Sequence, residues 1–295
     1  MSTAGSRRIS PGRKLRDHWE EAPVLLPGVF CPLVAKLAER AGFHGVYLSG
    51  AALSASMGLP DIGLVTLSEF VAEARRITAV TALPLLCDAD TGFGEALAVE
   101  RTVGEFEAAG AAGIHLEDQV LPKRCGHLSG KSLVEPATMA AKIRAAVAAK
   151  CDPEFVVVAR TDARGVNGFD DAVDRARQYL DAGADAIFPE ALESVAEFEQ
   201  FAKAVNAPLL ANMTEFGKSP PLDAKTLGAM GYRMIFFPVS AFRSALRAAE
   251  STLRDIVQHD TQTNSVPSML TRAELYDLLG YMGYEERDRA YFGKG

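Results

Sequence analysis

Eight short apolar runs alternate with amphipathic segments along this chain, and their order predicts the fold. Each run is continuously hydrophobic, which is typical of parallel strands that are covered on both faces. The segments between the runs, such as LSEFVAEARRI and DAVDRARQYLDAG, have the periodicity of helices that bury one face. The predicted strands are 24–30, 45–50, 83–90, 113–118, 155–162, 185–191, 207–215 and 232–240.

A recurring glycine marks the junction between a helix and the strand that follows it. It is found in AERAGFHGVYLSG, EAAGAAGIHLED, LDAGADAIFPEA and GAMGYRMIFFPV, where a glycine can end the helix in a left-handed conformation. Eight units of this kind predict an α/β protein with a TIM (β/α)8 barrel, which we assign as one domain over 1–295. A doubly wound open sheet would need a glycine-rich dinucleotide loop after the first strand, where this sequence has VFCPLVAKLAER.

Residues 263–295 follow the eighth unit and predict extra C-terminal helices. The segment TRAELYDLLGYMGYEE would expose aromatic side chains on these helices, which suits packing between subunits. We therefore treat 263–295 as a helical extension of the barrel domain.

The composition narrows the choice of partners. The chain has 295 residues, a net charge of −7 and no long Lys/Arg run, so we expect no nucleic-acid partner. An acidic chain repels anions on average. A site for an anionic substrate would therefore have to concentrate positive charge locally.

The cysteines and the hydropathy together predict a cytoplasmic protein. The four cysteines show no CxxC spacing, which disfavours a zinc cluster or a redox dithiol and favours reduced thiols. The N-terminal segment MSTAGSRRISPGRK is polar and has no signal-peptide core. Since no apolar run approaches the roughly 18 residues of a membrane span, we expect no membrane partner.

Polar residues stand at the end of almost every predicted strand. In a TIM barrel the active site lies at the carboxyl ends of the strands, so these residues are the first candidates for chemistry. They are Tyr47, Ser49, Gly50, Asp88, Asp90, Glu117, Asp118, Arg160, Asp162, Glu190, Asn212, Thr214, Glu215, Ser240 and Arg243.

The segment DADTGFG (88–94) predicts a metal site. Asp88 and Asp90 lie two residues apart at a strand end, and Glu117 and Asp61 could join them. Carboxylate oxygens of this kind suit Mg²⁺ or Mn²⁺, which keep several waters and accept substrate oxygens. The alternative is a helix cap or a surface turn over 91–94, and the position directly after an apolar strand favours the metal.

The segment PKRCGHLSGK (122–131) predicts a reactive cysteine on a mobile loop. Cys125 follows Lys123 and Arg124 and precedes His127. Positive neighbours lower the pKa of a thiol, and the flanking glycines would let the loop close over a substrate. The alternative is a buried, inert cysteine, which so polar a segment disfavours.

Several residues could bind the carboxylates of a substrate. The backbone N–H groups of the YLSGAA turn could hold one carboxylate, although many turns between a strand and a helix look similar. Arg160, Arg243 and Arg272 could bind carboxylates through two parallel hydrogen bonds. Asn212 and Thr214 could donate to a further carboxylate. A solvated helix face for Arg243, and a helix cap for Asn212 and Thr214, remain the alternatives.

Together these segments resemble the isocitrate lyase/phosphoenolpyruvate mutase superfamily over about residues 11–287. The matching segments are YLSG, GLPDIGLVTL, LPLLCDADTGFG, GIHLEDQVLPKRCGH, KIRAAVAAK, ARTDA, FPEA, LANMTEFG, SAFR and TRAELY. The motif KRCGH after EDQ is similar to the motif found in the lyase members of the superfamily. Members that act on phosphonates or decarboxylate oxaloacetate generally lack that cysteine.

The resemblance implies a role for each candidate residue. Asp88 and Asp90 would hold Mg²⁺, with Mn²⁺ as a possible substitute and with Asp61 acting through water. The implied catalytic residues are Tyr47, Glu117, Cys125 and His127. The implied substrate-binding residues are Ser49, Gly50, Ala51, Gly126, Arg160, Glu190, Asn212, Thr214, Arg243 and Arg272. The superfamily also implies a homotetramer in which C-terminal helices are exchanged between subunits.

The resemblance further implies a carbon–carbon lyase acting on a small 2-hydroxy di- or tricarboxylate. The most similar branch implies retro-aldol cleavage of 2-methylisocitrate to pyruvate and succinate, with Cys125 protonating the departing aci-carboxylate. A 2,3-dimethylmalate lyase is the alternative within the same chemistry. An oxaloacetate decarboxylase or a phosphonate mutase or hydrolase is the alternative from another class. Three departures leave the substrate open, since SGAA replaces SGGG, CGHL replaces CGHR and Phe236 replaces a leucine.

Overall fold

The computed structural model describes residues 9–293, and its centre is a barrel of parallel strands. Most of the N-terminal segment MSTAGSRRISPGRK, on which the prediction of a cytoplasmic location partly rests, lies outside the described residues. The strands are β1 Val24–Pro27, β2 Val46–Leu48, β3 Leu85–Asp88, β4 Gly113–Glu117, β5 Val156–Thr161, β6 Ala186–Pro189, β7 Leu209–Asn212 and β8 Tyr232–Phe237.

Hydrogen bonding runs through all eight strands and nearly closes the barrel. Their order in the sheet is β1-β8-β7-β6-β5-β4-β3-β2, and every named pair is parallel. One bridge between Gly28 and Tyr47 joins β1 to β2 across the remaining gap. A Cβ at Gly28 would lie 1.9 Å from the carbonyl oxygen of Pro238, so glycine is required where the barrel closes. The predicted TIM barrel is confirmed, and the doubly wound alternative is excluded.

Twelve helices are present within the described residues. They are α1 Pro11–Glu21, α2 Pro32–Arg40, α3 Gly50–Ser56, α4 Leu67–Thr78, α5 Ala96–Ala108, α6 Pro136–Ala148, α7 Phe169–Asp181, α8 Val195–Ala204, α9 Ala224–Met230, α10 Ser240–His259, α11 Arg272–Leu279 and α12 Tyr281–Phe292. The predicted glycine junctions are confirmed, because Gly42, Gly110, Gly183 and Gly231 all have positive φ after their helices.

The apolar core has two layers, as expected for strands that are covered on both faces. One cluster packs the outward faces of the strands against the surrounding helices. The other fills the barrel interior and includes Leu15 and Trp19 of α1, which lie against residues at the strand starts such as Val24 and Val156. Helix α1 therefore closes the end of the barrel opposite the predicted site.

The chain divides into two compact units, with the boundary between Ala241 and Phe242. The second unit holds most of α10 together with α11 and α12, so the predicted C-terminal helices are present. Their aromatic side chains are exposed, as the sequence predicts, with Tyr284 at 65% and Phe292 at 83%. Helix α11 begins with a capping box between Thr271 and Glu274. The assignment of one domain over 1–295 and the exchange of helices between subunits stay predictions.

Helix length and hydropathy also bear on the membrane prediction. Within residues 9–293, no helix combines the length and the apolar character needed to cross a bilayer.

Candidate active site

Charged side chains from neighbouring strands meet at the carboxyl end of the barrel. Asp88 and Glu117 are the last residues of β3 and β4, and Glu117 pairs in register with Arg160 of β5. Glu190 directly follows β6. All four are at least 93% buried. Ionised groups are rarely buried unless they pair, so their concentration at one end of the barrel marks a built site.

Both carboxylate oxygens of Asp88 accept hydrogen bonds from the protein backbone. Its Oδ2 accepts from the N–H of Gly50 at 3.0 Å and lies 3.4 Å from the Tyr47 hydroxyl. Its Oδ1 accepts from the N–H of Asp90 at 3.0 Å. The carboxylate is therefore fixed in orientation, as the first ligand of a metal site requires.

The loop after Asp88 adopts a strained conformation that the protein holds in place. Asp90 and Phe93 have φ values of 44° and 56°, in the left-handed region that non-glycine residues rarely adopt. Thr102 donates to the Gly92 carbonyl at 3.0 Å, and Lys142 donates to the Thr91 carbonyl at 3.2 Å. Strain of this kind persists only where the surroundings enforce it, and it is common at functional sites.

The same loop decides between the two interpretations of DADTGFG. Asp88 and Asp90 are buried, and the next helix, α5, begins only at Ala96 with Glu95 as its N-cap. The interpretation as a helix cap or surface turn is therefore wrong.

Lys123 is the cation nearest to this carboxylate cluster. Its ammonium contacts Asp61 and lies 2.8 Å from Asp90 Oδ1. Despite this cation, burial raises the pKa of Asp90 to about 7. Burial also raises the pKa of Glu117 well above its usual range, although Arg160 and Lys123 favour the charged form. The cluster therefore holds more carboxylate than its own cations compensate.

The donor set of this cluster fits a small divalent cation. Both carboxylate oxygens of Glu117 are buried without a hydrogen-bond partner among residues 9–293, although Oε2 lies 3.2 Å from Arg160 Nη1 in an ion pair. No group of three or more His, Cys, Asp or Glu within this range is arranged as a complete metal cage. Mg²⁺ needs none, because it binds through one or two carboxylates and completes its shell with water and substrate oxygens.

Arg160 is the centre of positive charge in the site. Its Nε and Nη2 bind Asp162 at 2.9 and 3.1 Å, and Nη2 also lies 3.4 Å from Glu190. The guanidinium lies 5.2 Å above the ring of Phe188, a cation–π arrangement. Arg160 thus supplies a buried cation at the centre of the site, but Asp162, Glu117 and Glu190 already pair with it. The local concentration of positive charge that an acidic chain needs for an anionic substrate stays a prediction.

Cys125 lies on the loop between β4 and α6, beside the charged groups of the site. It is partly buried, and its thiol contacts the backbone N–H of His127. A Cβ at the next residue, Gly126, would lie 2.5 Å from both Arg160 Nη2 and Glu190 Cγ. Only glycine allows the loop to approach the site so closely.

The expectation that positive neighbours lower the pKa of Cys125 is wrong. Burial raises the pKa of the thiol, and the charges of Glu190 and Asp61 act in the same direction. Lys123 cannot stabilise a thiolate strongly because Asp61 and Asp90 already hold its ammonium. The structure therefore keeps the proton on Cys125 near neutral pH, which is the state that a proton donor requires.

His127 fastens the Cys125 loop to two other segments. Its Nδ1 accepts from the backbone N–H of Lys218 at 2.9 Å, so the proton of the neutral ring is on Nε2. That Nε2 lies 2.9 Å from Glu190 Oε1. Burial opposes the ionisation of Glu190, but Arg160 and His127 outweigh it and lower the pKa of Glu190 below its usual range. Both ring nitrogens are engaged within the protein, and a direct catalytic role for His127 stays a prediction.

The Ser49–Gly50–Ala51 turn forms the start of α3. Ser49 caps this helix by accepting from the Ala52 N–H at 3.4 Å, and the N–H of Gly50 donates to Asp88. A Cβ at Gly50 would lie 2.8 Å from Asp88 Oδ2, so the turn packs directly against that carboxylate. The first carboxylate bound at this turn is thus the protein's own, and the binding of a substrate carboxylate there stays a prediction.

Asn212 and Thr214 lie at the end of β7, next to Glu190 and the segment that binds His127. Asn212 Nδ2 is 3.4 Å from both carboxylate oxygens of Glu190, and its Oδ1 is buried without a partner among the described residues. The following helix, α9, is capped by Asp223. The helix-cap interpretation of Asn212 and Thr214 is therefore wrong, and substrate binding by them stays a prediction.

Arg243 and Arg272 belong to the second compact unit, in α10 and at the start of α11. Their participation in the site stays a prediction.

Two residues of the site were missed by the sequence analysis. His115 lies inside the barrel, with Nε2 2.8 Å from the Tyr47 hydroxyl, and burial lowers its pKa to about 4. Lys131 is buried beside Asp162. The alternation along GIHLE could have revealed His115, because it places His115 and Glu117 on the same face of β4. No local pattern distinguishes Lys131 from an exposed lysine.

The barrel and this site together define a class of protein. A TIM barrel whose strand ends carry a carboxylate cluster, a central arginine and a loop with a half-buried thiol is built to bind and transform a small anion.

Comparison with known proteins agrees with this class. The phosphoenolpyruvate phosphomutase family matches residues 13–257. The chain is 54% identical to a 2-methylisocitrate lyase of Aeropyrum pernix, covering 94% of this chain and 90% of that one. It is 47% identical to the 2-methylisocitrate lyase of Escherichia coli, covering 94% of this chain and 95% of that one.

Two solved structures extend the comparison to the fold. A 2,3-dimethylmalate lyase superposes with a TM-score of 0.90 at 34% identity, covering 97% of each chain. A phosphonopyruvate hydrolase, in complex with oxalate and Mg²⁺, superposes with a TM-score of 0.85 at 32% identity, covering 96% of this chain and 98% of that one. The chain belongs to the phosphoenolpyruvate mutase/isocitrate lyase superfamily, as the sequence motifs predict.

Proposed function

We propose that this protein is a magnesium-dependent carbon–carbon lyase that cleaves 2-methylisocitrate to pyruvate and succinate. The observation that carries the proposal is the position of the Cys125 loop, in which the next residue, Gly126, lies against Arg160 and Glu190 at the end of the barrel. This position would set a proton donor beside Arg160, the cation that we propose binds a carboxylate of the substrate. The names of the relatives from Aeropyrum pernix and Escherichia coli support the same substrate.

The carboxylates of Asp88 and Asp90 would hold Mg²⁺, with Mn²⁺ as a possible substitute and with Asp61 and Glu117 supporting its waters. The uncompensated charge of this cluster and the unpartnered Oε1 of Glu117 support that assignment. When bound, the ion supplies Lewis-acid stabilisation of the negative charge that develops on the 2-hydroxyl oxygen. The presence of Mg²⁺ with oxalate in the related phosphonopyruvate hydrolase supports the choice of metal.

The side chains of this chain would divide the rest of the reaction between them. Arg160, with Asn212 and Thr214, binds and orients the substrate carboxylates, and Arg243 and Arg272 contribute further cations. Burial raises the pKa of Tyr47 well above its usual range, so its hydroxyl keeps its proton and acts as a hydrogen-bond donor beside the reacting oxygen. As the C2–C3 bond breaks, the 2-hydroxyl would give its proton to a carboxylate of the site such as Glu117, whose pKa is raised by burial. Cys125 would donate its own proton to the carbon of the departing fragment, and the loop over the site would exclude water.

A 2,3-dimethylmalate lyase is the second candidate. The similarity of the fold to a solved enzyme of that name favours it, and both reactions would use the same metal and proton donor. An oxaloacetate decarboxylase or a phosphonate mutase or hydrolase is the alternative from another class. The loop that presents Cys125 disfavours that alternative, because the superfamily members that act on phosphonates or decarboxylate oxaloacetate generally lack this cysteine.

The substrate is tested by a panel of 2-methylisocitrate, isocitrate, 2,3-dimethylmalate, oxaloacetate and phosphonopyruvate, each with Mg²⁺. We expect the highest kcat/KM with 2-methylisocitrate, measured as the release of pyruvate, or of glyoxylate from isocitrate, with a coupled dehydrogenase. Isocitrate, which lacks the methyl group, should be cleaved more slowly, by about 10–200-fold if the pocket contacts that methyl group. Preference for 2,3-dimethylmalate would select the second candidate, and turnover of phosphonopyruvate or oxaloacetate alone would refute the lyase.

We also propose that the protein is a cytoplasmic homotetramer whose C-terminal helices pack between subunits. The exposed aromatic side chains of α11 and α12 support this, because surfaces of that kind are normally covered in a soluble oligomer. We expect light scattering after gel filtration to give about four times the 31.5 kDa chain mass at micromolar concentration. A monomeric mass under these conditions would contradict the proposal.

A further inference from the structure

We infer that Lys131 is a positioning residue that holds the loop bearing Cys125 against Arg160. Its side chain is 98% buried, which is exceptional for lysine and requires partners for the ammonium group. The Nζ atom donates to the carbonyl oxygen of Gly126 and to Asp162 Oδ1, the latter at 2.7 Å. The first contact belongs to the loop, and the second belongs to the barrel.

The barrel side of this contact leads directly to the centre of the site. Asp162 binds the Nε and Nη2 atoms of Arg160, so one carboxylate joins Lys131 to the guanidinium. Asp162 is itself fixed, because its N–H donates to Asp118 Oδ1 at 2.9 Å. The ammonium of Lys131 therefore rests on a rigid anchor that also orients Arg160.

The loop side of this contact fixes the residue next to the thiol. Gly126 approaches Arg160 and Glu190 so closely that a Cβ would clash with both. The carbonyl of this residue is the acceptor for Lys131, and the carbonyl of Cys125 accepts from Leu128 N–H at 2.9 Å. The hydrogen bond between Lys131 and Gly126 thus links the two ends of the segment 126–131. By holding this segment, Lys131 fixes the orientation of Cys125 relative to the site.

The alternative is that Lys131 only compensates the buried charge of Asp162. The two roles differ in their consequences for the loop. Without the ammonium, Asp162 keeps two hydrogen bonds from Arg160, whereas Gly126 loses its anchor to the barrel. A positioning role therefore predicts a change in the exposure of Cys125, and simple charge compensation does not.

The test is the rate at which iodoacetamide alkylates Cys125 in Lys131→Met, followed by mass spectrometry of the peptides. Cys151 is exposed and serves as the internal reference in the same molecule. A hydrogen bond to a charged group corresponds to roughly tenfold or more in an equilibrium, so we expect Cys125 to react about tenfold faster relative to Cys151. Gly126→Ala, which pushes the loop away from Arg160, should raise the rate similarly.

Lys150→Met is the matched control. Lys150 is also a largely buried lysine, with Nζ 2.6 Å from Asp185 Oδ2. It lies between α6 and β5, at the opposite end of the barrel from the loop. We expect this variant to lower thermal stability without changing the relative rate at Cys125. An unchanged Cys125 rate in folded Lys131→Met would overturn the inference.

The consequence for turnover rests on the proposed lyase function. We expect kcat of Lys131→Met to fall about tenfold or more while KM changes less, because the loop carries the proton donor. Lys131→Gln, which stays polar without the charge, is measured alongside. If neither variant folds, Lys131 is needed for the fold and the positioning role is refuted. Since alkylation needs no substrate, it decides the role of Lys131 even if the protein is inactive on every substrate of the panel.

Discussion

Replacing Asp88 with alanine is expected to abolish both metal binding and turnover. The carboxylate is the most firmly held of the cluster, and the proposed Lewis-acid chemistry acts through it. Loss of several kcal/mol of charge stabilisation corresponds to a decrease in kcat/KM of about 10³-fold or more. Titration of the metal-free protein with Mg²⁺ in a calorimeter, together with steady-state kinetics, measures the two effects separately.

Two further variants separate the loss of the metal ligand from damage to the fold. Asp88→Asn preserves the shape of the side chain and should lose nearly as much activity, because the charge is what the ion requires. Asp174→Asn removes an exposed carboxylate of α7 and should leave Mg²⁺ affinity and turnover unchanged. Full activity of wild type in excess EDTA, or of Asp88→Ala with Mg²⁺, would refute the metal assignment.

Cys125→Ser is expected to bind substrate normally and to lose most of its turnover. A serine hydroxyl is a far weaker acid than a thiol, whose ordinary pKa is about 8.5, and it cannot protonate the departing fragment at a useful rate. General acid catalysis contributes about 10²–10⁴-fold, which corresponds to roughly 3–5 kcal/mol of transition-state stabilisation. We expect kcat to fall within that range, measured by pyruvate release at saturating substrate.

KM should change much less in this variant, because other groups hold the carboxylates of the substrate. Arg160 keeps its position through Asp162 and Glu117, and neither contact involves the thiol. Cys151→Ser is the control, since that thiol is exposed and lies between α6 and β5, at the end of the barrel opposite the site. A Cys125→Ser variant with more than about a tenth of the wild-type kcat would contradict the acid role and favour the decarboxylase or mutase alternatives.

The raised pKa of Cys125 shows where local sequence reasoning fails. Lys123 and Arg124 precede the thiol in the chain, but the ammonium of Lys123 is held by Asp61, from a loop about sixty residues earlier, and by Asp90. A charge that is already paired does little for a third group. The pKa therefore depends on which segments the fold brings together, and the neighbouring residues in the sequence indicate the wrong direction.

The lengths of the strands show a second limit of prediction from the sequence. The apolar run 83–90 extends two residues beyond β3 at each end, because hydrophobicity reports burial and not pairing. Ala89 and Asp90 are fully or nearly fully buried, yet the chain turns there with a positive φ at Asp90. Helix α1 was not predicted from the sequence, because it joins the apolar core through only two residues, Leu15 and Trp19.

The sequence by itself determined the barrel, the order of its strands and helices and the chemical type of the site. Apolar runs separated by helical periods leave few ways to cover both faces of every strand, and glycine junctions mark where each unit ends. The family motifs then identify Asp88, Asp90, Arg160 and Cys125 as a set. These features are local in the chain, so a pattern of residues is enough to reveal them.

Only the tertiary structure decided which charges meet and which state each group adopts. Lys131 reaches Gly126 and Asp162, His127 joins Glu190 to the segment at Lys218, and Gly50 donates to Asp88. In each pair, the sequence around the two partners does not indicate that they will meet. This holds even for Lys131 and Gly126, which are close together in the chain. Inside the barrel, where water is excluded, such pairings control charge and orientation, because a buried ion is stabilised only by the partners that the fold provides.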